Sequence, residues 1–264
     1  MTQHTNSRKC IHLCVLSLLL TVMGGLSVSC ERENDVPGDI HDTTGNVGGE
    51  EIVGDGLFSV SEVTKVRFAP GNLKPGGHGF TAYQYDYGGL FGWGTGDRPN
   101  ITSTDNQDYA TFHDWGMYNR GGFWRTLVEE EWEYLFFQRI EANKKMGMAT
   151  VSGVTGLILL PDKWVPVPDC EFKPGFGWRQ NVYDSVQWLK MEKAGAVFLP
   201  AAGYRWGTDI FFAKTGGYYW VAPSTVGPYA HLDCVVCFDE NKVSLEVESR
   251  AVGCSVRLVE EKNS

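Results

Sequence analysis

Histidine is scarce in this chain, and its scarcity excludes chemistry. Six of the 264 residues are histidine. Beyond the first thirty positions only His41, His78, His113 and His231 remain, and none of them form the i, i+4 pair that gathers imidazoles round a metal. No G-x-S-x-G occurs, so the strand-to-helix elbow that exposes a nucleophilic serine is missing. The glycine-rich run Gly92-Trp93-Gly94-Thr95-Gly96 has no strand pattern before it and no helix pattern after it, which excludes a dinucleotide loop. Excess positive charge is lacking too. The formal charge is −9, and because Arg8 and Lys9 are the only ionised side chains in residues 1–29, the remainder carries −11. An acidic surface disfavours nucleic acid and anionic lipid as partners. No internal repeat of fixed period is present.

Cysteine is also sparse after Cys30: Cys170, Cys234, Cys237 and Cys254 remain. Cys234-Val235-Val236-Cys237 is a C-x-x-C, but its surroundings read as a strand, where residues three apart point to opposite faces. A redox pair needs a helix N-terminus to depress the thiol pKa, and a zinc site needs a second ligand pair. Buried thiols or disulfides in an oxidising compartment both fit. What the chain has in quantity is aromatic residues, with 9 Trp, 11 Tyr and 14 Phe, and 32 glycines. That mixture suits a loop-rich domain with aromatic packing, not a helical bundle.

The N-terminus reads as a targeting segment. Arg8-Lys9 is its positive start, Ile11 to Met23 its apolar stretch, and small residues follow up to Cys30. The apolar stretch is short for a membrane span of about 20 residues. Leu26-Ser27-Val28-Ser29-Cys30 resembles a bacterial lipobox whose leucine sits one place early. Residues 1–29 are therefore expected to be a lipoprotein signal peptide, with Cys30 the lipidated first residue. Residues 30–55 read as a flexible tether and 56–261 as the folded domain.

Within the domain, Thr126 and Glu129 have the spacing of a capping box. Trp132, Leu135, Phe136 and Ile140 follow as one apolar stripe, predicting a helix over about 127–141. A second helix is expected over about 185–194, capped by Asp184 or Ser185 and ended by Gly195. Val66-Arg67-Phe68 alternates like a strand. Gly156 to Pro161 and Ala196 to Pro200 read as short buried strands, and 218–222, 231–238, 242–248 and 252–259 as later ones. Residues 73–122 read as long ordered loops.

Several of these segments resemble a known superfamily. Arg125-Thr126 followed by Glu131-Trp132-Glu133-Tyr134 is similar to the helix signature of formylglycine-generating-enzyme-type proteins, a branch of the C-type lectin fold. Val66 to Leu73, Leu90 to Asp97, Gly156 to Pro161, Ala194 to Arg205 and Gly253-Cys254-Ser255-Val256-Arg257-Leu258-Val259 resemble the Fibrobacter-type major paralogous domain of Bacteroidetes lipoproteins. The resemblance covers roughly residues 57–259. It implies an α+β, C-type lectin-like domain with two helices, a small twisted antiparallel sheet and long loops, in which the Gly253 to Val259 segment is a core strand beside the N-terminal one. It also implies what this chain lacks. The copper cysteines of the enzymes are spaced C-x4-C, and their iron branch needs clustered histidines. Calcium-dependent lectins use E-P-N or Q-P-D with W-N-D. None of these sets occurs, so no metal, cofactor or catalytic residue is expected.

Paired carboxylates offer little more. Glu129 and Glu133 share a helix face as an acid–base pair would. A cap and the helix dipole account for Glu129, and Glu131 or Glu133 is expected to pair with Arg125 or Arg257. Tyr204, Trp206, Tyr219, Trp220, Ser224, Tyr229, His231 and Asp233 are the expected ligand-binding residues. Aromatics with polar tips suit recognition surfaces, although Tyr204 and Trp220 equally suit a core. Strand alternation places His231 and Asp233 outward, with Leu232 and Cys234 inward. The expected function is a lipoprotein anchored in the outer membrane and exposed at the cell surface, binding a glycan or protein ligand without catalysis. Some proteins of this fold are rewritten by diversity-generating retroelements, and Val221-Ala222-Pro223-Ser224 stands where relatives tend to read SSS or SST. A divergent enzyme of the same superfamily and an assembly lipoprotein are the alternative readings.

Overall fold

The computed structural model describes residues 56–94, 111–118, 123–223 and 232–262, all within the compact unit Gly49–Ser264. The expected signal peptide, the tether and Cys30 lie outside the described residues. Within them no helix is long and apolar enough to cross a membrane.

The domain is mixed α+β, with two α-helices among the described residues and several small, mostly antiparallel sheets. Strands β1 (Phe58–Ser59), β2 (Lys65–Phe68) and β3 (Trp124–Arg125) join the last strand, β13 (Val259–Lys262), in the order β1-β2-β13-β3. β13 runs antiparallel to β2, pairing Val259 with Phe68. The two ends of the domain are thereby closed on each other. A second sheet holds β4 (Met146–Val151), β5 (Val154–Leu159), β6 (Val182–Tyr183) and β7 (Val197–Pro200) in the order β6-β4-β5-β7, with β4 and β6 parallel. β5 and β7 are almost wholly buried. The hairpin β8 (Tyr204–Trp206) and β9 (Asp209–Phe211) precedes a sheet of β10 (Gly216–Trp220), β11 (Leu232–Asp239) and β12 (Val243–Ser249).

Helix α2 (Ser185–Lys193) starts as its sequence predicts. Asp184 accepts from Gln187 N at 2.8 Å, and the Gln187 amide oxygen accepts from Asp184 N at 3.1 Å. Gly195 ends it with φ +97, a conformation glycine adopts without a Cβ clash.

The first helix departs from expectation. α1 spans Glu129–Glu133 and passes into one π-helical turn, Tyr134–Gln138. The cap is not Thr126 with Glu129. Thr126 is turned to Asp114, whose Oδ1 accepts from its hydroxyl at 3.2 Å, and Glu131 caps instead, accepting from Val128 N at 3.0 Å. Trp132, Leu135 and Phe136 are buried, but Ile140 is 83% exposed. The helix ends at Gln138 and Arg139 turns to extended backbone at ψ 157, so Ile140, the last member of the stripe, lies beyond the helix.

Three apolar layers fill the domain. One joins Trp132, Leu135 and Phe136 to Phe68, Val259, Tyr219, Val236 and Phe238. A second gathers Phe91, Trp93, Trp115, Trp220, Val235, Cys237 and Cys254. The third packs Trp188 and Met191 of α2 against Ile158 and Phe198. The sheet β10-β11-β12 therefore has an apolar layer on each face: Tyr219 and Val236 enter the first, Trp220 and Val235 the second. The segment expected as a strand over 252–259 is different. Gly253 to Leu258 holds isolated bridges to Phe91, Arg205 and Tyr219, and only Val259 begins the paired strand. Its Arg257 is fully buried and donates to Asn72 Oδ1 at 3.0 Å, Ala69 O at 2.9 Å and the Phe198 carbonyl. Of the expected glutamate–arginine pairs the one formed is Glu131 with Arg125, at 2.6 Å, and Arg257 is taken by these backbone and Asn72 oxygens instead.

Candidate functional site

The residues expected on one ligand face divide into four groups. Tyr219 and Trp220 are core residues. The Tyr219 hydroxyl accepts from Asn72 Nδ2 at 3.1 Å and donates to Pro200 O at 2.9 Å, and Trp220 Nε1 donates to Phe91 O at 2.6 Å. Their polar tips are consumed inward, so neither lines an exposed face. Asp233 shares the sheet face of Val235 and Cys237. Its side chain is 12% exposed and its Oδ2 is 3.2 Å from Arg250 Nη2, while Arg250 stacks 3.7 Å from the Trp93 ring centre. Alternation is obeyed, but with both faces of β11 covered it does not place Asp233 outward. Ser224, Tyr229 and His231 lie outside the described residues. Tyr204 and Trp206 remain, half-buried and exposed respectively.

These two stand on a hairpin built for display. β8 and β9 pair Tyr204 with Phe211 and Trp206 with Asp209, so those four side chains share one face. Arg205 takes the other face, is buried, and donates from Nη1 to Gly207 O at 2.9 Å across the turn. Backbone bonds between Arg205 and Gly253, at 2.8 and 2.7 Å, fix the hairpin to the core. Beyond it Phe212 is held at φ +57, an unusual conformation for a bulky residue. Its carbonyl accepts from Thr215 N at 3.0 Å, Gly216 N at 2.9 Å and Thr215 Oγ1 at 3.1 Å. The turn is tied down again by Lys214 N to Ala201 O at 2.8 Å and Thr155 Oγ1 to Lys214 O at 2.6 Å.

The result is a patch of rings. Tyr204 lies 5.7 Å from Phe211, 5.9 Å from Phe212 and 5.0 Å from Tyr218 between ring centres. Trp206, Phe211 and Phe212 are 40%, 42% and 56% exposed, while Ile210, 58% exposed, pairs with Arg205 and takes the other face of the hairpin. A contiguous apolar patch on a rigid element marks an interaction surface more than a scattered exposed residue does. Sequence reasoning missed Ile210, Phe211 and Phe212. The signal was present in the run Ile210-Phe211-Phe212 after the Gly207 turn, three successive large apolar residues on the return strand of a hairpin and just beyond it.

Burial first raises the Tyr204 pKa, with Glu248 and Cys254 adding to it, and it drives Tyr218 upward in the same way. Both hydroxyls are neutral donors at pH 7. The thiols follow the same rule: burial lifts Cys234, Cys237 and Cys254, whose sulfurs are unpaired. Cys234 lies against the first apolar layer and Cys237 within the second, as strand alternation demands.

Two clefts lie away from this face. One, of about 260 Å³, is lined by Arg67, Gln84, Glu192 and Lys193. Its floor is structural, since the Gln84 amide donates to Ala196 O at 3.2 Å and accepts from Phe198 N at 2.7 Å. The other, of about 210 Å³, lies beside Glu141, Lys144 and Asp162. Glu129 and Glu133 are exposed on α1. Comparison with protein-family models, with curated proteins and with solved structures gives no match to this chain.

Proposed function

We propose that this chain is a surface lipoprotein whose C-type lectin-like domain binds a glycan or protein ligand on the β8–β9 hairpin face, without catalysis. The observation that carries the reading is the exposed aromatic patch of Trp206, Phe211 and Phe212 on a hairpin locked to the core through Arg205 and Gly253. Ordered rings give large contact area at little entropic cost. The fold part of the proposal is supported by the β2–β13 closure, the two helices, and the resemblance of the Arg125 to Tyr134 and Gly253 to Val259 segments. The lipoprotein part rests on the run up to Cys30, and the anchor would hold the domain at the outer membrane.

Two measurements test it. Mass spectrometry of membrane-extracted protein should find cleavage before Cys30 and acylation there; an intact Met1 would refute the anchor. A glycan array and a surface-protein pull-down should show binding that Trp206→Ala and Phe211→Ala weaken while the melting transition stays cooperative. A ligand bound equally by both variants would place the site elsewhere.

A further inference from the structure

Strand register sets four carboxylates on the sheet face that Tyr218 and Cys237 occupy: Asp233 and Asp239 on β11, and Glu246 and Glu248 on β12, of which Asp239 is taken up by the Asn241 and Lys242 amides in the turn. Two of them have a cation from the chain itself. Lys242 Nζ lies 2.6 Å from Glu246 Oε1, and Arg250 Nη2 lies 3.2 Å from Asp233 Oδ2. Glu248 has no ion pair among the described residues. It stands directly opposite Asp233 in the register, a like-charge placement that destabilises a sheet. It is also close enough to Tyr204 and Tyr218 for its charge to add to the effect of burial on both hydroxyls. This half-buried carboxylate accepts from the Ser249 amide, but unlike Asp233 and Glu246 it has no cation among the described residues.

We propose that the hairpin face takes a basic segment of another protein, with a lysine or arginine side chain pairing with Glu248 across Tyr204 and Tyr218, and apolar neighbours covering Phe211 and Phe212. The inference rests on the ligand-binding reading of this face. Ring faces attract cations and so does a carboxylate, so two independent features select the same charge. The chain's −9 net charge steers in the same sense. The centres of Tyr204, Phe212 and Tyr218 lie 5.0, 5.9 and 6.3 Å from one another. Rings packed so closely offer faces and edges and no hole, so a free ammonium is not enclosed. A polypeptide laid across the patch brings both the cation and the apolar cover. Lys214, exposed on the adjoining turn, marks the rim.

The test uses the full-length protein in detergent and two capped peptides, alternating lysine–valine and alternating glutamate–valine, read by tryptophan fluorescence and biolayer interferometry. The lysine peptide should bind and the glutamate peptide should not. Added salt should weaken the binding, and Glu248→Gln should weaken it about tenfold. Lys242→Ala, which removes a cation from the same face, should strengthen it and remains informative if the Glu248 variant misfolds. Equal binding of both peptides, or an unchanged Glu248→Gln, overturns the cationic partner. If Phe211→Ala still weakens capture of a glycan or of a neutral protein, the hairpin face survives as a site and only its proposed occupant fails. No binding of the lysine peptide, with every ligand indifferent to Phe211→Ala, overturns both.

Discussion

The carbonyl oxygen of Phe211 occupies the space in which a side chain on Gly203 would stand. Gly203 also holds φ +70. The glycine is therefore required twice, once for the close approach of the hairpin's return strand and once for the backbone turn that launches Tyr204. Gly203→Ala should cost about 1–3 kcal/mol for overpacking and about 1–2 kcal/mol for the left-handed backbone. Denaturant titration should show that loss, and the fluorescence of Trp206 should report a disturbed hairpin. A loss under about 0.5 kcal/mol, the range of a neutral surface change, would mean that the hairpin is not locked at this point.

Glu131 and Glu129 separate two readings of the same helix start. Glu131 binds Arg125 through both oxygens, at 2.6 and 2.7 Å, and accepts from Val128 N at 3.0 Å. Glu129 is exposed. Glu131→Ala should cost about 1–2 kcal/mol, the range of a lost cap, and it also removes the two-oxygen partner of the Arg125 fork, leaving Glu261 at 3.6 Å. Glu129→Ala should stay within about 0.5 kcal/mol. The reverse order in urea midpoints would restore the Thr126–Glu129 cap.

Asp162 gives the domain an acid-sensitive joint. Burial works to raise its pKa, but bonds from Ser59 and Lys65 and the charge of Arg139 outweigh it, holding the carboxyl below its ordinary value of 3.8. Ser59 N and Oγ donate to Oδ2 at 3.0 and 2.6 Å, Lys65 Nζ lies 3.3 Å from Oδ2, and Arg139 Nη1 lies 3.4 Å from Oδ1. A depressed carboxyl stabilises the fold above its unfolded-state pKa and loses that contribution as pH falls through the folded one. The wild type should therefore lose stability faster than Asp162→Asn as pH falls below about 4. Parallel acid titrations of the two proteins, followed by circular dichroism, would contradict this.

Much of the fold was legible because local chemistry and tertiary packing agree there. Asp184 and Gln187 cap α2, Gly195 ends it, and the apolar runs before Pro161 and Pro200 are the buried strands β5 and β7. The candidate site was less legible. Period-two alternation sorts Asp233 from Cys234, but it cannot say that both faces of β11 are covered, because the covering layers come from Trp132 and Trp93, each some hundred or more residues away. For the same reason Tyr219 reads as a surface aromatic, and Trp220 as either surface or core, until Asn72, Pro200 and Phe91 are seen to accept or donate at their polar tips. Ile140 was misplaced because the helix stops at Gln138, where Arg139 turns to extended backbone with no glycine or proline in the sequence to mark the end.

Glu248 tests whether the hairpin face is kept for a ligand at the expense of stability. Burial first, and Glu246 next, raise its carboxyl above the ordinary 4.5, with the Ser249 amide opposing them. A carboxyl raised in the folded state penalises the fold once it ionises. Stability therefore falls as pH rises from the ordinary value through the higher folded one. Glu248→Gln removes the charge and nearly keeps the shape. Its denaturation midpoint should exceed that of the wild type at pH 7, and the gap should close below about pH 4. A residue that weakens the fold yet sits at a display surface fits a functional role. If the glutamine variant is the less stable protein at pH 7, Glu248 has a structural partner within the fold, and the vacancy for a cation disappears with it.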